Sequence, residues 1–258
     1  MELIKPIIRV GNSAGVILPR EWLNGKARIE LVEKPLDIGK EIFVILGDYL
    51  QDIIGIYLSG SYARNEQTKK SDIDVMVITN ETSAKIEKGK YNIILIKKND
   101  VEKALKDNVM PILPMLRESK ALLNKELIEK YKETLLTEKN LKWHMEIVKS
   151  ALKLNKEAIE FDWEEENNCS DATSYSLILH LRSVYIVDCM IKNKLWSNKE
   201  FIRLIRDVSG SLTAYQGYFR VKNNERTKRE LLIDEAGKIY NYIKIRISEQ
   251  EKWVKREK

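Results

Sequence analysis

The period of the apolar positions changes along the chain, and the changes divide it into three. In the first stretch, Ile4 to Val10 and Ala27 to Val32 are β-rich runs. They flank the polar turn Gly11-Asn12-Ser13-Ala14-Gly15 and the short apolar run Val16-Ile17-Leu18, closed by Pro19. Between residues 38 and 98 helix and strand patterns alternate. Ile38 to Gln51 is apolar at helical spacing, Ile53 to Leu58 reads as a buried strand, Tyr62 to Glu66 opens a helix, and Ile73 to Ile78 and Tyr91 to Ile96 are further strands. From about residue 100 the strand signal disappears. Helical spacing predicts helices over Asp100 to Lys106, Lys125 to roughly Glu165, Asp171 to Lys194, Asn198 to Val208 and Glu225 to Trp253. The breaks are a loop at Pro111 and Pro114, the acidic, Asn-rich Glu164 to Ser170, and Ser209-Gly210-Ser211. The expected fold is α+β: a small β-rich segment over 1–37, a mixed sheet with helices over 38–124, and a helical bundle over 125–258.

Chemistry concentrates in the middle stretch. Leu58-Ser59-Gly60-Ser61-Tyr62-Ala63-Arg64 is followed a few residues later by Ser71-Asp72-Ile73-Asp74-Val75-Met76-Val77. A Gly-Ser turn between a strand and a helix sets backbone N–H groups, a hydroxyl and a helix amino terminus side by side, which suits the phosphates of a triphosphate. Residues two apart in a strand share a side, so Asp72 and Asp74 face one site while Ile73 and Val75 face the core. Such a pair of carboxylates can jointly hold magnesium ions that bridge triphosphate oxygens.

The pattern of Gly60, Ser61, Asp72 and Asp74 resembles the DNA polymerase β-type nucleotidyltransferase superfamily. Its surroundings are most similar to the small bacterial and archaeal members, the minimal nucleotidyltransferases, over roughly residues 40 to 125. The resemblance implies that Gly60 and Ser61 contact the β- and γ-phosphates and that Asp72 and Asp74 are the catalytic, Mg2+-binding pair. Arg64 or Lys70 would neutralise phosphate charge. The implied substrate is an NTP, expected to be ATP, and the implied acceptor a hydroxyl on a protein, an RNA or a small molecule. One departure stands out. Relatives carry a third carboxylate on the next strand, where it serves as general base, and here Asn92 takes that place. An amide can ligate a metal through its carbonyl but cannot accept a proton at neutral pH. Asp100, just beyond that strand, reads as a helix N-cap.

The run from Arg9 through the Gly11-Asn12-Ser13 turn and Pro19 to Leu23 is similar to the swapped-hairpin domain of AbrB-type transcription factors and antitoxins. That likeness implies a homodimer, because such hairpins close a barrel only when two chains interlock, and a DNA-facing surface. Arg9, Arg20, Lys26 and Arg28 can contact phosphates, although four basic residues on a small β-domain are more often a solvated face. A second class of function therefore stands beside the enzyme: a DNA-binding regulator or antitoxin whose degenerate transferase core senses nucleotide.

Composition adds bounds. Lys plus Arg number 45 against 39 for Asp plus Glu, a net charge of +6 too mild to indicate nucleic-acid binding without clustering. Abundant Lys, Glu and Ile with few Gly and Pro resemble a thermophile's ion-pair-rich composition. Two cysteines, Cys169 and Cys189, are too few for a disulfide framework and have no metal-ligand spacing. No apolar run approaches the roughly 20 residues that span a bilayer, and the amino terminus lacks a signal-peptide core, so a cytoplasmic, non-membrane protein is expected. His144, His180 and Cys189 read as core residues. Tyr215 to Asn224 mixes aromatics with cations and can either stack a substrate or pack the edge of the bundle. Helical bundles after such cores often complete the substrate cleft; some resemble HEPN domains, but the Arg-x4-6-His ribonuclease motif is absent.

Overall fold

The computed structural model describes residues 3–32, 37–69 and 71–256. The chain forms two units, residues 1–42 and 43–258. In the first, β1 (Ile8–Val10) and β2 (Ser13–Gly15) pair as an antiparallel hairpin with Arg9 opposite Ala14. Gly11 makes the turn at a φ of +58°, open to glycine without cost. A 3-10 turn over Arg20–Trp22 follows Pro19. The expected strands are shortened at Ile4 to Val10 and absent at Ala27 to Val32, since a lone hairpin offers no neighbour to pair the outer segments.

The helix expected to Gln51 ends earlier: α1 covers Ile38–Ile45, and a 3-10 turn over Gly47–Tyr49 leads to the sheet. The sheet contains β3 (Ile53–Leu58), β4 (Ile73–Thr79), β5 (Ala84–Lys88), β6 (Tyr91–Lys97) and β7 (Lys120–Leu123), in the order β5-β6-β4-β3-β7. Only β4 and β6 run parallel; the other neighbours are antiparallel. Two of these strands escape the sequence pattern. Both are edges: β5 has only Ala84 and Ile86 as apolar positions, half-buried, and β7 is four residues long with Leu122 and Leu123 exposed. The central strand β4 is buried on both faces, which explains its near-continuous apolar run.

Around the sheet lie α2 (Gly60–Arg64), α3 (Lys98–Asp107), α4 (Ile112–Glu118), α5 (Lys125–Lys132), α6 (Glu138–Glu164), α7 (Asp171–Ile191), α8 (Asn198–Ser209), α9 (Thr213–Lys222) and α10 (Ile233–Arg256). The short strands β8 (Cys169–Ser170) and β9 (Arg229–Leu231) pair with each other. The loop expected between Pro111 and Pro114 is instead the start of α4, where Pro111 is the N-cap and Pro114 falls in the first turn, whose N–H groups need no intrahelical partner. The single helix expected from Lys125 is two, because Thr137 and Asn140 form a reciprocal capping box that starts α6. The helix expected from Glu225 begins at Ile233, after β9. Asp100 lies in the first turn of α3, whose N-cap is Lys97.

Tyr57, Met76 and Ile78 face the helices and share one core with Leu113, Leu141, Leu177 and Ile243. That core ties the sheet to the bundle. Within the bundle α9 lies tight on α7: a Cβ at Gly217 would stand 2.7 Å from Asp171 Oδ1 and 2.8 Å from Ser174 Cβ. Arg220, one turn along, donates two hydrogen bonds of 2.7 Å to the buried Asp171 carboxylate. Gly217→Ala should therefore cost roughly 1–3 kcal/mol by overpacking this contact. Denaturant unfolding checks it, and an unchanged midpoint would show that α9 gives way freely.

Candidate active site

The site is built where β3 ends and β4 begins. Ser59, the last residue before α2, is fully buried and donates from its N–H to the Asp74 carbonyl at 2.9 Å, so the turn is pinned directly over β4. Gly60 then enters α2 at a φ of +66°. A Cβ there would lie 2.2 Å from Asp74 Oδ2, so both the backbone conformation and the space require glycine. The Gly60 side of the turn and the Asp74 carboxylate are in contact because nothing stands between them.

Asp74 and Asn92 are register partners on the parallel pair β4 and β6. Asn92 Nδ2 donates to Asp74 Oδ1 at 3.2 Å, while Asn92 Oδ1 is buried with no hydrogen-bond partner. Burial pushes the Asp74 carboxyl above its ordinary range. The Asn92 hydrogen bond pulls it back, the Asp72 charge pushes it further up, and Arg64 and Lys222 pull it down. The sign matters for stability: a carboxyl raised in the folded state favours folding when protonated. That contribution is lost as pH rises from 3.8 through the raised value, so an ionised Asp74 strains the metal-free fold. Asp72 lies exposed just before β4.

The sequence-based site residues separate into two groups. Gly60 and Asp74 come together at the turn, with Ser61 next to Gly60 in α2 and Asp72 exposed two residues before Asp74. Lys70 lies outside the described residues. Arg64 is engaged by protein groups. Its guanidinium, 10% exposed, pairs with Glu118 at 2.6 Å and Glu66 at 2.9 Å and lies 3.8 Å over the Trp196 ring, and its charge also pulls down the Asp74 carboxyl. Glu118, at the end of α4, uses its second oxygen to accept from the Gly60 N–H at 2.8 Å. Glu66 accepts from Ser197 Oγ at 2.6 Å and the Asn198 N–H at 3.1 Å, at the start of α8. Burial pushes the Glu66 carboxyl up, but these hydrogen bonds and Arg64 outweigh it and hold it below its usual range. None of Glu66, Glu118 or Trp196 was legible beforehand, since Glu118 and Trp196 reach the turn across more than 50 residues and Glu66, though close to Arg64 in sequence, gains its role from Ser197 and Asn198.

The Lys222 charge, at the end of α9, is the weakest of the influences that pull down the Asp74 carboxyl. Tyr215, Phe219 and Lys222 fall on one side of that helix, with the Lys222 ammonium 5.9 Å from the Phe219 ring. Tyr215 also meets Phe219 edge-on at 4.8 Å and stacks on Tyr218. Beside them an open cavity of about 550 Å³ is lined by Gln216, Arg226 and Lys228 among others. The aromatic and cationic segment packs the edge of the bundle, ring on ring. Tyr218 packs into the core, while its neighbours look outward. His144 stays a core residue, its pKa pushed down to about 4 by burial.

A model of the nucleotidyltransferase domain family matches residues 40–176, more than half of the chain. The chain belongs to that family. It is a nucleotidyltransferase, and the family's general reaction is transfer of a nucleoside monophosphate. No curated protein matches it. Among solved structures it is similar to a nucleotidyltransferase-like protein from Exiguobacterium sibiricum. The identity is 11% and the TM-score 0.38, over 82% of this chain and 73% of that one. It is also similar to the spectinomycin adenyltransferase AAD(9) from Enterococcus faecialis, crystallised with ATP and spectinomycin, at 14% identity and a TM-score of 0.41, over 81% and 97%. Among the described residues of this nucleotidyltransferase no helix is long and apolar enough to cross a membrane, and no group of three or more His, Cys, Asp or Glu side chains is placed to hold a metal ion.

Removing Glu118 leaves the Gly60 N–H and Arg64 without their buried acceptor. Glu118→Ala should cost about 3 kcal/mol, in line with breaking a buried ion pair from one side. Glu118→Gln, which keeps an acceptor for Gly60, should recover part of it. Equal unfolding midpoints for the two variants would separate the turn from this carboxylate.

Proposed function

We propose that this nucleotidyltransferase transfers a nucleoside monophosphate from a magnesium-bound NTP, expected to be ATP, to an acceptor hydroxyl, with Asp72 and Asp74 as the catalytic and metal-holding pair. The observation that carries the reading is the Asp74 carboxylate, desolvated and pressed against a glycine turn, with Asp72 two residues before it. The donor set fits a hard cation: two carboxylates, beside an amide oxygen of Asn92 that is buried without a partner. Asp72 and Asp74 would hold the ion, leaving the rest of its coordination to oxygens the chain does not supply. A bound magnesium ion supplies charge neutralisation at the phosphate under attack.

The chain's own residues do the rest. The turn from Ser59 to Tyr62 orients the phosphates, with Ser61 as the nucleotide contact, and Gly60 serves by its lack of a side chain. Lys222 offsets the charge of the leaving pyrophosphate. Asn92 holds Asp74 in place through its Nδ2 but cannot take the proton of the attacking hydroxyl. The acceptor class, protein, RNA or small molecule, depends on what enters the cleft beside Tyr215 and Phe219. Two buried, unpaired thiols suit a cytoplasmic protein.

The test uses labelled nucleoside triphosphates with magnesium and candidate acceptors. The parent should transfer label, and Asp72→Ala with Asp74→Ala should abolish both transfer and calorimetric binding of the magnesium–triphosphate complex. Undiminished binding by the double variant would remove these carboxylates from the site. Asn92→Asp should raise turnover, since a general base is typically worth ~10²- to 10⁴-fold. An unchanged rate would mean that the proton leaves by another route.

A second reading concerns the amino-terminal unit. Ile4, Ile17, Leu23, Ile29 and Val32 are each at least 67% exposed, which leaves this unit without a core of its own. We propose that residues 1–37 form an AbrB-like swapped hairpin that interlocks with a second copy, making a homodimer whose Arg9 and Arg28 lie on DNA. Gel shifts against salt check it: the full chain should retard duplex DNA with an affinity that falls as salt rises, and Arg9→Ala with Arg28→Ala should flatten that dependence. DNA left unretarded at low salt would leave only dimerisation for this segment.

A further inference from the structure

Helix α6 is the longest in the protein, and one side of it is apolar without being covered. Trp143, Ile147, Leu154 and Phe161, at intervals of four, seven and seven residues, are 56%, 43%, 63% and 58% exposed. Those intervals keep all four on one line of the helix, over about 27 Å at 1.5 Å per residue. Small side chains fill the gaps between the large ones: Ser150, Ala151 and Ala158. The core-facing residues Leu141, Val148 and Leu152 lie on a different side, so the bundle does not use this line. Solvated helices place charged residues on such a face.

Charge along the helix identifies the occupant. From Glu138 to Lys156 there are five lysines, Lys139, Lys142, Lys149, Lys153 and Lys156, against Glu138 and Glu146. From Glu157 to Glu166 there are Glu157, Glu160, Asp162, Glu164, Glu165 and Glu166, and no cation. Beside the apolar line the charges fall on a single flank, with Lys139 and Lys142 at one end and Glu157, Glu160 and Glu164 at the other. Among the described residues, Lys153, Glu157 and Glu164 have no ion-pair partner within the chain. Lys142–Glu146 and Lys156–Glu160 are exposed i,i+4 pairs that exchange readily.

We infer that α6 is a self-association surface that pairs antiparallel with α6 of a second copy of this chain. A two-fold axis near Leu152 puts Leu154 against Ser150 and Ala151 of the other copy, Ile147 against Ala158, and Trp143 against Phe161. Each large residue in the middle then meets small ones, and an aromatic pair closes each end. In antiparallel pairing like flanks face each other, so Lys142 meets Glu160 at both ends, and Glu164 faces Lys139, which within its own chain pairs with Asp107. Parallel pairing would set the acidic ends together and is excluded by repulsion. This surface is separate from the amino-terminal hairpin and does not depend on the catalytic reading.

Position-specific cross-linking of the full chain distinguishes the two interfaces. Both native thiols are buried, and burial pushes that of Cys169 up to about 12, so they stay silent. Ser150→Cys, on the pairing line near the axis, should give a covalent dimer with a short bismaleimide at micromolar protein. Lys156→Cys, on the opposite side of α6, should not. Adding Leu154→Glu and Phe161→Glu to Ser150→Cys should reduce the cross-link to the Lys156→Cys level, with the thermal unfolding curve retained because both residues are exposed. A Ser150→Cys yield no higher than that of Lys156→Cys, or a yield that survives the two glutamates, overturns the inference. A dimer held only through residues 1–37 produces the first of those results, and a different protein or a lipid surface on this face produces it as well.

Discussion

Everything in the site depends on how closely a backbone turn approaches a carboxylate. Gly60 stands where any side chain would collide with Asp74 Oδ2, and Ser59 ties the same turn to the Asp74 carbonyl. The approach strips water from Asp74 and raises its pKa. A carboxylate so desolvated is a poor element of an apo fold and a good ligand for a cation, because binding restores the charge compensation that folding removed. The pressure against ionisation is the cost of a preorganised site, and it falls on one residue.

The turn is held from behind by a buried polar network. Glu118 accepts from the Gly60 amide and from Arg64; Arg64 lies on Trp196 and pairs with Glu66; Glu66 caps the start of α8 through Ser197 and Asn198. Each group has its partner in a low-dielectric interior, so the network is stiff, and removing one member exposes another. It joins the sheet, α4 and the bundle at the same point. The bundle in turn carries α9, packed on α7 through Gly217 and Arg220.

Asn92 gives the site its particular character. It stands in register with Asp74 and supplies a hydrogen bond where relatives are expected to have a carboxylate. Glu87 on β5 is the register partner of Asn92 and points to the same face, but it is exposed and paired with Lys85. The carboxylate nearest in register thus lies one strand further out.

The sequence by itself determined the central strands, the Gly-Ser turn and the strand that carries Asn92. These are local: an apolar run between turn signals marks a buried strand, and a tight turn demands glycine whatever surrounds it. Edge strands β5 and β7 were not legible, since an edge needs no apolar alternation, and α4 was hidden because its two prolines sit where a helix tolerates them. The tertiary structure alone decided the roles of Arg64, Glu66 and Glu118. A charged side chain looks the same in sequence whether it meets solvent or a buried partner. Only the meeting of α4 and the start of α8 at the Gly60 turn removes the water that would otherwise make those alternatives equal.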